Sequence, residues 1–245
     1  MLTREKRAVK DRLIVALDVS SVEEARAVVR ELKNEVGMFK AGLELYSIAG
    51  LDLFHMMREE GIKLFFDGKF HDIPNTVAQA SRNMTRQGVA MFNIHATGGS
   101  EMMKAAAEAC RQESEKHGMK PYLIAVTVLT SIAGDALRAE LQVNEEITKY
   151  VCRLAKLTQA SGLDGVVASA KEAKSIREAC GEEFVIVTPG IRPAWSSQDD
   201  QKRIVTPGQA IKDGADFLVV GRPITTAKDR KDAARRVVEE MEAAL

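Results

Sequence analysis

The densest group of residues that could carry out charge-based chemistry is the segment 67–72, Asp-Gly-Lys-Phe-His-Asp, which directly follows an apolar run. Asp67 and Lys69 are two positions apart, so on an extended strand they share one face, while Phe66 and Phe70 take the other. Paired charges of this kind are typical of acid–base and electrostatic catalysis. The alternative is an ordinary exposed ion pair at a strand end, which contributes little to stability. The apolar run before the charges favours a functional site.

A second candidate site lies near the end of the chain, in the sequence Phe-Leu-Val-Val-Gly-Arg-Pro of residues 217–223. The apolar run ends at Gly221, where a backbone without a side chain lets a ligand approach closely. Arg222 follows directly. Barrel enzymes often bind phosphate after their seventh and eighth strands. The pair therefore predicts a phosphate site if this run is the eighth strand of a barrel.

Other polar or special residues stand at or near the carboxyl ends of the apolar runs, and we expect them to lie at the same end of a parallel sheet: Asp18, Lys40, His95, Thr130 and Pro189. His95 is a candidate for a supporting role only. The histidines, cysteines and carboxylates lack the spacing of metal ligands, and there is no nucleophile elbow. The sequence predicts neither a metal ion nor a cofactor.

The elements that must position these residues alternate along the whole chain. Amphipathic helix patterns separate short runs rich in Val, Ile and Phe, as is typical of buried parallel strands. Eight such runs are present: Leu13–Val19, Met38–Gly42, Lys63–Asp67, Ala90–His95, Tyr122–Leu129, Gly165–Ser169, Phe184–Val187 and Phe217–Gly221.

The helices are predicted from apolar periodicity and from start and stop signals. Ser21 and Thr206 are expected N-caps, and a proline follows the second. The remaining segments are 75–87, 100–117, 145–160 and a last helix from about Asp229. Eight β/α units in 245 residues predict an α/β fold, a (β/α)8 TIM barrel that forms one domain over residues 1–245. An open doubly wound sheet is the alternative, although no glycine-rich turn follows the first strand.

One connection is longer than the short loops typical of a barrel. Residues 189–205 lack helical periodicity and contain Pro189, Gly190 and Pro193. A loop of this length in a compact domain is usually functional or disordered. It follows the seventh strand, at the end of the barrel where active sites lie. A surface loop without a function is the alternative.

Composition narrows the range of partners. Lys plus Arg equals Asp plus Glu at 35 each, so there is no basic excess to indicate binding to nucleic acid or to a membrane surface. No apolar run is long enough to span a bilayer. Three cysteines without pairwise spacing predict free thiols in a reducing compartment. We therefore expect a soluble, cytoplasmic protein.

Residues 66–76, Phe-Asp-Gly-Lys-Phe-His-Asp-Ile-Pro-Asn-Thr, resemble the signature Asp-x-Lys-x-x-Asp-Ile-x-x-Thr of the orotidine 5′-phosphate decarboxylase family. The resemblance covers nearly the whole chain, and its motifs come in the family's order. Further matching segments are Ala16-Leu17-Asp18, Phe39-Lys40-Ala41-Gly42, Val128-Leu129-Thr130-Ser131, Thr188–Pro193, Asp200–Arg203 and Val220–Ile224.

This resemblance implies a cofactor-free decarboxylase that converts orotidine 5′-phosphate to uridine 5′-phosphate and acts as a homodimer with shared active sites. Lys69 would give a proton to carbon 6 of the pyrimidine, and Asp67 would lie beside the departing carboxylate. Asp72 and Thr76 would reach into the partner's site. The other implied roles are ribose binding and charge pairing for Asp18 and Lys40, pyrimidine contact for Thr130, and substrate binding at the phosphate end and loop for Pro189, Arg192, Gln201, Gly221 and Arg222.

Two other interpretations remain open. Sugar-phosphate enzymes of the same barrel group, such as 3-keto-gulonate-phosphate decarboxylase or hexulose-phosphate synthase, share an Asp-x-Lys-x-x-Asp arrangement but use magnesium. The Ile-Pro-Asn-Thr continuation at 73–76 and the loop residues Arg192 and Gln201 favour the nucleotide enzyme. A non-catalytic sensor of a phosphate ligand is the second alternative, and the presence of both Asp67 and Lys69 argues against it.

Overall fold

Eight parallel strands close into a barrel in a computed structural model that describes residues 7–196 and 205–245. Each strand pairs with the next along the chain, and β8 pairs with β1 to complete the ring. The (β/α)8 TIM barrel predicted from the sequence is confirmed. The strands are β1 Leu13–Ala16, β2 Met38–Gly42, β3 Leu64–Phe70, β4 Met91–His95, β5 Tyr122–Val126, β6 Gly165–Val167, β7 Val185–Thr188 and β8 Phe217–Val220.

Helices surround the barrel and fill the connections between strands. Within the described residues they are α1 Val22–Leu32, α2 Leu43–Ala49, α3 Asp52–Glu59, α4 Pro74–Arg86, α5 Gly99–His117, α6 Gly134–Ala139, α7 Ile147–Ala160, α8 Ala170–Cys180, α9 Pro207–Lys212, α10 Arg222–Thr225 and α11 Arg230–Glu242. Short 3-10 turns at Val9–Arg12 and Ala96–Gly98 precede β1 and α5.

The apolar runs locate all eight strands, but several strand ends differ from the prediction. β2 has the predicted bounds, whereas β1, β5 and β6 end two or three residues early. Apolar residues continue there beyond the last ladder pairing, because the chain after a barrel strand can still be buried, as Leu17 and Val19 are. β3 runs to Phe70 instead of ending at Asp67. The charged residues end the hydrophobic pattern, but the strand continues past them to Phe70, which pairs with Ile94.

Helix starts are predicted well where a polar cap marks them. The Ser21 hydroxyl accepts a hydrogen bond from the Glu24 amide, and Thr206 accepts one from Gln209, as expected of N-caps. α2 and α3 are absent from the sequence prediction, because neither has a side-chain cap. α8 is also missed. Its N-cap, Ser169, stands in the sequence as the last residue of an apolar run.

Side chains of the strands alternate between the inside of the barrel and the helix layer outside it. One apolar cluster lies inside the barrel, and a larger one fills the space between the strands and the helices. The parity of β2 and β3 places Lys40 and Asp67 on the inner face, above Met38 and Phe65. The inner cluster consists of Ile14, Ala16, Met38, Phe65, Met91, Ile124, Val185, Val187, Phe217 and Val219.

The connection after β7 is tied together at its two described ends. Ile191 and Val205 form an isolated parallel bridge, and the Arg192 amide donates a hydrogen bond of 3.1 Å to the Val205 carbonyl. Farther along, the Trp195 ring packs against α11, with the Arg236 guanidinium 4.2 Å from its centroid. These contacts hold both described ends of the long connection against the barrel.

None of the helices in the described ranges is long and apolar enough to cross a membrane. The three cysteines are free thiols, as predicted: Cys110 and Cys180 are buried and Cys152 is half-buried. Burial raises the pKa of the Cys110 thiol. A buried thiol with a raised pKa is a poor nucleophile, so Cys110 is a packing residue.

The amino-terminal end of the barrel is held by a buried ion pair. The Arg177 guanidinium donates to Asp216 Oδ2 at 2.6 Å and to the backbone carbonyls of Gly181, Phe184 and Gly214 at 2.7–2.8 Å. Asp216 is 4% exposed, and its carboxylate also accepts the amide of Ile186 in β7. One charged cluster thus joins α8, β7 and β8 at the amino-terminal end of the barrel, opposite the carboxyl ends of the strands.

We expect Arg177→Met to lower the free energy of unfolding by roughly 3–5 kcal/mol, because the variant leaves the Asp216 charge buried beside unsatisfied carbonyls. Urea denaturation measures the loss. Arg235→Met is the matched control, since Arg235 pairs with Glu35 at the surface and exposed pairs contribute about 0–1 kcal/mol. A smaller loss for Arg177→Met than for this control would contradict the interpretation.

Candidate active site

The carboxyl ends of the strands surround a cavity of about 280 Å³ at the mouth of the barrel. Many of the site residues predicted from the sequence line it, although they come from separate parts of the chain. They are Asp18 after β1, Lys40 in β2, Asp67 and Lys69 in β3, Thr130 after β5, Pro189 after β7 and Gly221 after β8.

A chain of alternating charges crosses one side of this cavity. Lys69 Nζ lies 2.8 Å from Asp67 Oδ1, and Lys40 Nζ lies 3.2 Å from Asp67 Oδ2. Lys40 Nζ also lies 3.5 Å from Asp18 Oδ1. The side chains of Lys40 and Asp67 are only 12% and 13% exposed, whereas that of Lys69 is 31% exposed. Of the two lysines that pair with Asp67, Lys69 is therefore the one more open to a ligand.

The backbone of β3 bulges where it carries these charges. The register with β4 shifts between Phe66 and Phe70, and Lys69 has a φ of 50°. A left-handed conformation costs a residue other than glycine about 1–2 kcal/mol. A side chain at Gly68 would meet the buried Phe66 ring at 2.5 Å, so any larger residue would have to displace that ring. The expectation of a regular extended strand is wrong: the bulge, not simple alternation, aims Lys69 at Asp67.

Asn93 in β4 is a site residue that the sequence analysis missed. Its side chain is fully buried, donates from Nδ2 to Asp67 Oδ1 at 2.7 Å and accepts the Lys69 amide at Oδ1 over 2.8 Å. The available signal was a polar residue inside the apolar run Met91–His95, on its inward-facing parity. A buried amide of this kind needs partners, and both of its partners belong to the charged segment.

Asp67 is held in its ionised form. Burial disfavours the charge, but the nearby ammonium groups of Lys40 and Lys69 and the hydrogen bonds from Lys69 and Asn93 outweigh it. The pKa of Asp67 therefore lies below its usual range. The ionised carboxylate holds the Lys69 side chain by an ion pair of 2.8 Å.

The rest of the cavity is apolar. Its walls come from aliphatic and aromatic residues of five strands and of the segment that follows β5. Charge interactions are stronger beside such walls than in water, because the local dielectric constant is lower. The lining apolar residues are Ala16, Phe65, Val126, Val128, Leu129, Val167 and Val219.

Four predicted site residues lie outside this cavity, and one cannot be placed. Asp72 and Thr76 are exposed at the start of α4, and within the described part of the chain Asp72 forms no ion pair with Lys69. Arg192 and Arg222 follow β7 and β8 without lining the cavity. Gln201 lies outside the described residues.

His95 ends β4 beside the charged segment. Its ring lies 5.4 Å from that of His71. Burial, together with His71 and Lys69, lowers the pKa of His95, so the ring is neutral near pH 7. In the described ranges, no group of three His, Cys, Asp or Glu residues is arranged to hold a metal ion.

A closed (β/α)8 barrel with an ion-paired lysine in the apolar mouth at the carboxyl ends of its strands is typical of a barrel enzyme. A family model described as Orotidine 5′-phosphate decarboxylase / HUMPS family matches residues 11–237. The chain belongs to this family.

Individual relatives agree with the family match over nearly full lengths. The orotidine 5′-phosphate decarboxylase of Moorella thermoacetica is 51% identical over 234 residues, which cover 95% of this chain and 93% of the relative. The Syntrophotalea carbinolica decarboxylase is 51% identical over 237 residues, covering 96% and 97%. Among solved structures, orotidine 5′-phosphate decarboxylase from Lactobacillus acidophilus matches with a TM-score of 0.83 at 38% identity, covering 94% and 98%.

The buried pairing of Asp67 makes a pH-dependent prediction for Lys40→Met. The lowered pKa means that ionised Asp67 stabilises the fold above the usual aspartate range, and that this stabilisation is lost as the pH falls through the lowered pKa. Burial raises the pKa of Asp67, and without Lys40 fewer interactions oppose this effect. We expect the variant to lose roughly 3 kcal/mol of unfolding free energy at pH 7 and less at pH 4, as measured by urea denaturation.

Lys104→Met is the matched control, because Lys104 pairs with Glu101 only at the exposed surface, over 3.7 Å. Its effect on unfolding should stay within about 1 kcal/mol at both pH values. A loss for Lys40→Met that is equal at pH 7 and pH 4 would show that Asp67 ionisation does not depend on this pair.

Proposed function

We propose that this protein, as a single domain of residues 1–245, decarboxylates orotidine 5′-phosphate to uridine 5′-phosphate, the last step of de novo uridine nucleotide synthesis. The observation that carries the proposal is the buried Asp67 carboxylate between the ammonium groups of Lys40 and Lys69. The named decarboxylases that are 51% identical over nearly the whole chain support it. Free thiols support a cytoplasmic location, where disulfides are rare.

The reaction needs a fixed positive charge more than it needs a bond-forming group. Loss of carbon dioxide leaves an electron pair in the plane of the pyrimidine ring, where the ring carbonyls delocalise it poorly. An ammonium group held beside carbon 6 stabilises this carbanion and then donates the proton that replaces the carboxylate. Preorganised charge of this type is usually the largest catalytic contribution. Lys69 takes this role, because its side chain is more exposed than that of Lys40, the other lysine that pairs with Asp67.

The neighbouring charges keep Lys69 ready for the reaction. Asp67 fixes the ammonium group at 2.8 Å and lies where the substrate carboxylate departs. Lys40 neutralises the second oxygen of Asp67, and with Asp18 it offers hydrogen-bonding groups to the ribose. Thr130, after β5, contacts the pyrimidine from the cavity rim. No cofactor takes part in this scheme, because the ammonium group supplies both charge and proton.

The substrate phosphate binds where β7 and β8 end. Pro189 and Gly221 line the cavity on this side, and a glycine lets the backbone come close to an anion. Arg222, exposed directly after Gly221, and Arg192 supply positive charge, and Gln201 completes the set. Binding energy from a group distant from the reacting carbon can be used to orient the substrate.

We further propose a homodimer in which each site borrows residues from the partner. Asp72 and Thr76 are exposed in the single chain, and the start of α4 around them includes Ile73, which is 67% exposed. Leu43, at the start of α2 after the neighbouring strand, is 60% exposed. Apolar side chains in this position favour burial against a second copy. Asp72 of one subunit would then complete the charge array of the other.

The family description also includes HUMPS enzymes, so a magnesium-dependent sugar-phosphate reaction is the main competitor. The two classes differ in their response to a chelator: decarboxylation by the Lys69 array should continue in EDTA. A non-catalytic sensor would bind the nucleotide tightly without turnover. The paired Asp67 and Lys69 favour catalysis over this alternative.

Lys69→Ala tests the proposed chemistry. The wild type should convert orotidine 5′-phosphate in EDTA, followed by absorbance, whereas the variant should lose nearly all turnover and still bind uridine 5′-phosphate. The reason is that the variant lacks the proton donor but keeps the cavity. Lys104→Ala, which removes an exposed lysine on α5, should keep wild-type activity. If Lys69→Ala retains more than about a tenth of the rate, a loss under ~1.4 kcal/mol, Lys69 is not the proton donor.

Subunit mixing tests the shared site. Lys69→Ala and Asp72→Ala should each be inactive alone, and activity should return when the two proteins exchange subunits. In a mixed dimer one site carries both defects and the other carries neither, so random exchange should restore about a quarter of wild-type activity. Mass measurement confirms the exchange. If exchange occurs and no activity returns, Asp72 acts within its own barrel.

A further inference from the structure

The geometry around Asn93 points to a function for this residue that rests on the proposed decarboxylation. We propose that Asn93 is a positioning residue, which sets the Lys69 ammonium against the Asp67 carboxylate by binding both residues at once. It accepts the Lys69 amide at 2.8 Å and donates to Asp67 Oδ1 at 2.7 Å. Its side chain has no exposed surface.

The two partners allow only one orientation of the amide. Ionised Asp67 can only accept hydrogen bonds, and a backbone N–H can only donate one. The NH2 group of Asn93 must therefore face Asp67, and its carbonyl oxygen must face Lys69. A carboxylate at position 93 would repel Asp67, and an aliphatic side chain would leave both partners without a bond in a buried place.

The bond to Lys69 replaces one that the strand ladder cannot supply. β3 shifts register against β4 between Phe66 and Phe70, so the backbone of the bulge is out of step with its neighbour. Lys69 there has a φ of 50°. Residues other than glycine adopt this backbone conformation only where the surrounding structure imposes it. Asn93 lies on the neighbouring strand and imposes it through the Lys69 amide.

The same side chain fixes the acceptor of the ion pair. Asp67 Oδ1 accepts both the Asn93 amide and the Lys69 ammonium, the latter at 2.8 Å. The carboxylate therefore cannot rotate away without losing the Asn93 bond. Both members of the ion pair, Lys69 and Asp67, are therefore held by one buried residue in the middle of β4. Such an arrangement keeps a reacting group within a narrow range of positions.

Asn93→Ala should lower kcat at least tenfold at pH 7.5 and change KM for orotidine 5′-phosphate less than threefold. The reason is that substrate contacts remain while the alignment of Lys69 is lost. Thr158→Val is the matched control: Thr158 is equally buried, in α7 outside the barrel, and its hydroxyl donates to the Leu154 carbonyl. It should lower the melting temperature and leave kcat unchanged. A kcat above half of wild type for Asn93→Ala would overturn the proposal.

Asn93→Asp adds a readout that loss of stability alone would not change. A protonated carboxyl group at this position can donate to Asp67 and accept the Lys69 amide, as the native amide does. Two adjacent carboxyl groups share a proton more readily at low pH. The ratio of variant to wild-type kcat should therefore rise at least threefold between pH 8 and pH 5.5, while the Asn93→Ala ratio stays constant.

Taking the ratio to wild type removes the titration of the other groups near this site, which are Lys40 on β2, Asp67 and Lys69 on β3, His71 and His95. A ratio for Asn93→Asp that is the same at both pH values would overturn the proposal. Wild-type protein that fails to convert the substrate would instead refute the proposed function.

Amide hydrogen exchange in the wild-type protein tests the same bond without any substitution. The Lys69 amide should exchange at least a hundredfold more slowly than in an unstructured peptide, because the buried side chain of Asn93 accepts its hydrogen bond at 2.8 Å. Rapid exchange would overturn the proposal even if the position 93 variants fail to fold.

Discussion

The arrangement of this protein depends on one buried carboxylate, Asp67, held between two ammonium groups. A charge in this place is stable only with partners at short distance, and each partner requires a structural feature. Lys40 requires the inward parity of β2. Lys69 requires the bulge of β3, with glycine before it. The apolar lining of the mouth then strengthens the interactions that it surrounds. The charge array and the local fold of β2 and β3 are specified by the same few contacts.

Periodicity is enough to predict the barrel and much of its mouth. Eight apolar runs correspond to eight strands, and residues just beyond the strands, among them Asp18 and Gly221, line the cavity. This works because all strands of a parallel barrel end on the same side, so that a position along the chain translates into a position in space. Capped helices such as α1 follow from local chemistry in the same way.

Features that arise between strands are not encoded by local patterns. The bulge at Lys69 and the proposed role of Asn93 exist only when β3 lies beside β4. The sequence alone does not show which partners a lone asparagine in the predicted strand Ala90–His95 binds. α2 and α3 lack side-chain caps, so packing rather than sequence signals sets their bounds. Asp72 belongs to a further class, because its proposed role needs a second copy of the chain.

The contact between Trp195 and Arg236 gives the protein a built-in optical label. Trp195 is the single tryptophan of the sequence, and a guanidinium group lies 4.2 Å from its ring. Emission from an indole changes with the charge and solvent around it. Excitation selective for tryptophan therefore reports on one contact between the connection after β7 and α11, with no other indole to dilute the signal. Changes at this contact during unfolding can be followed without attaching a dye.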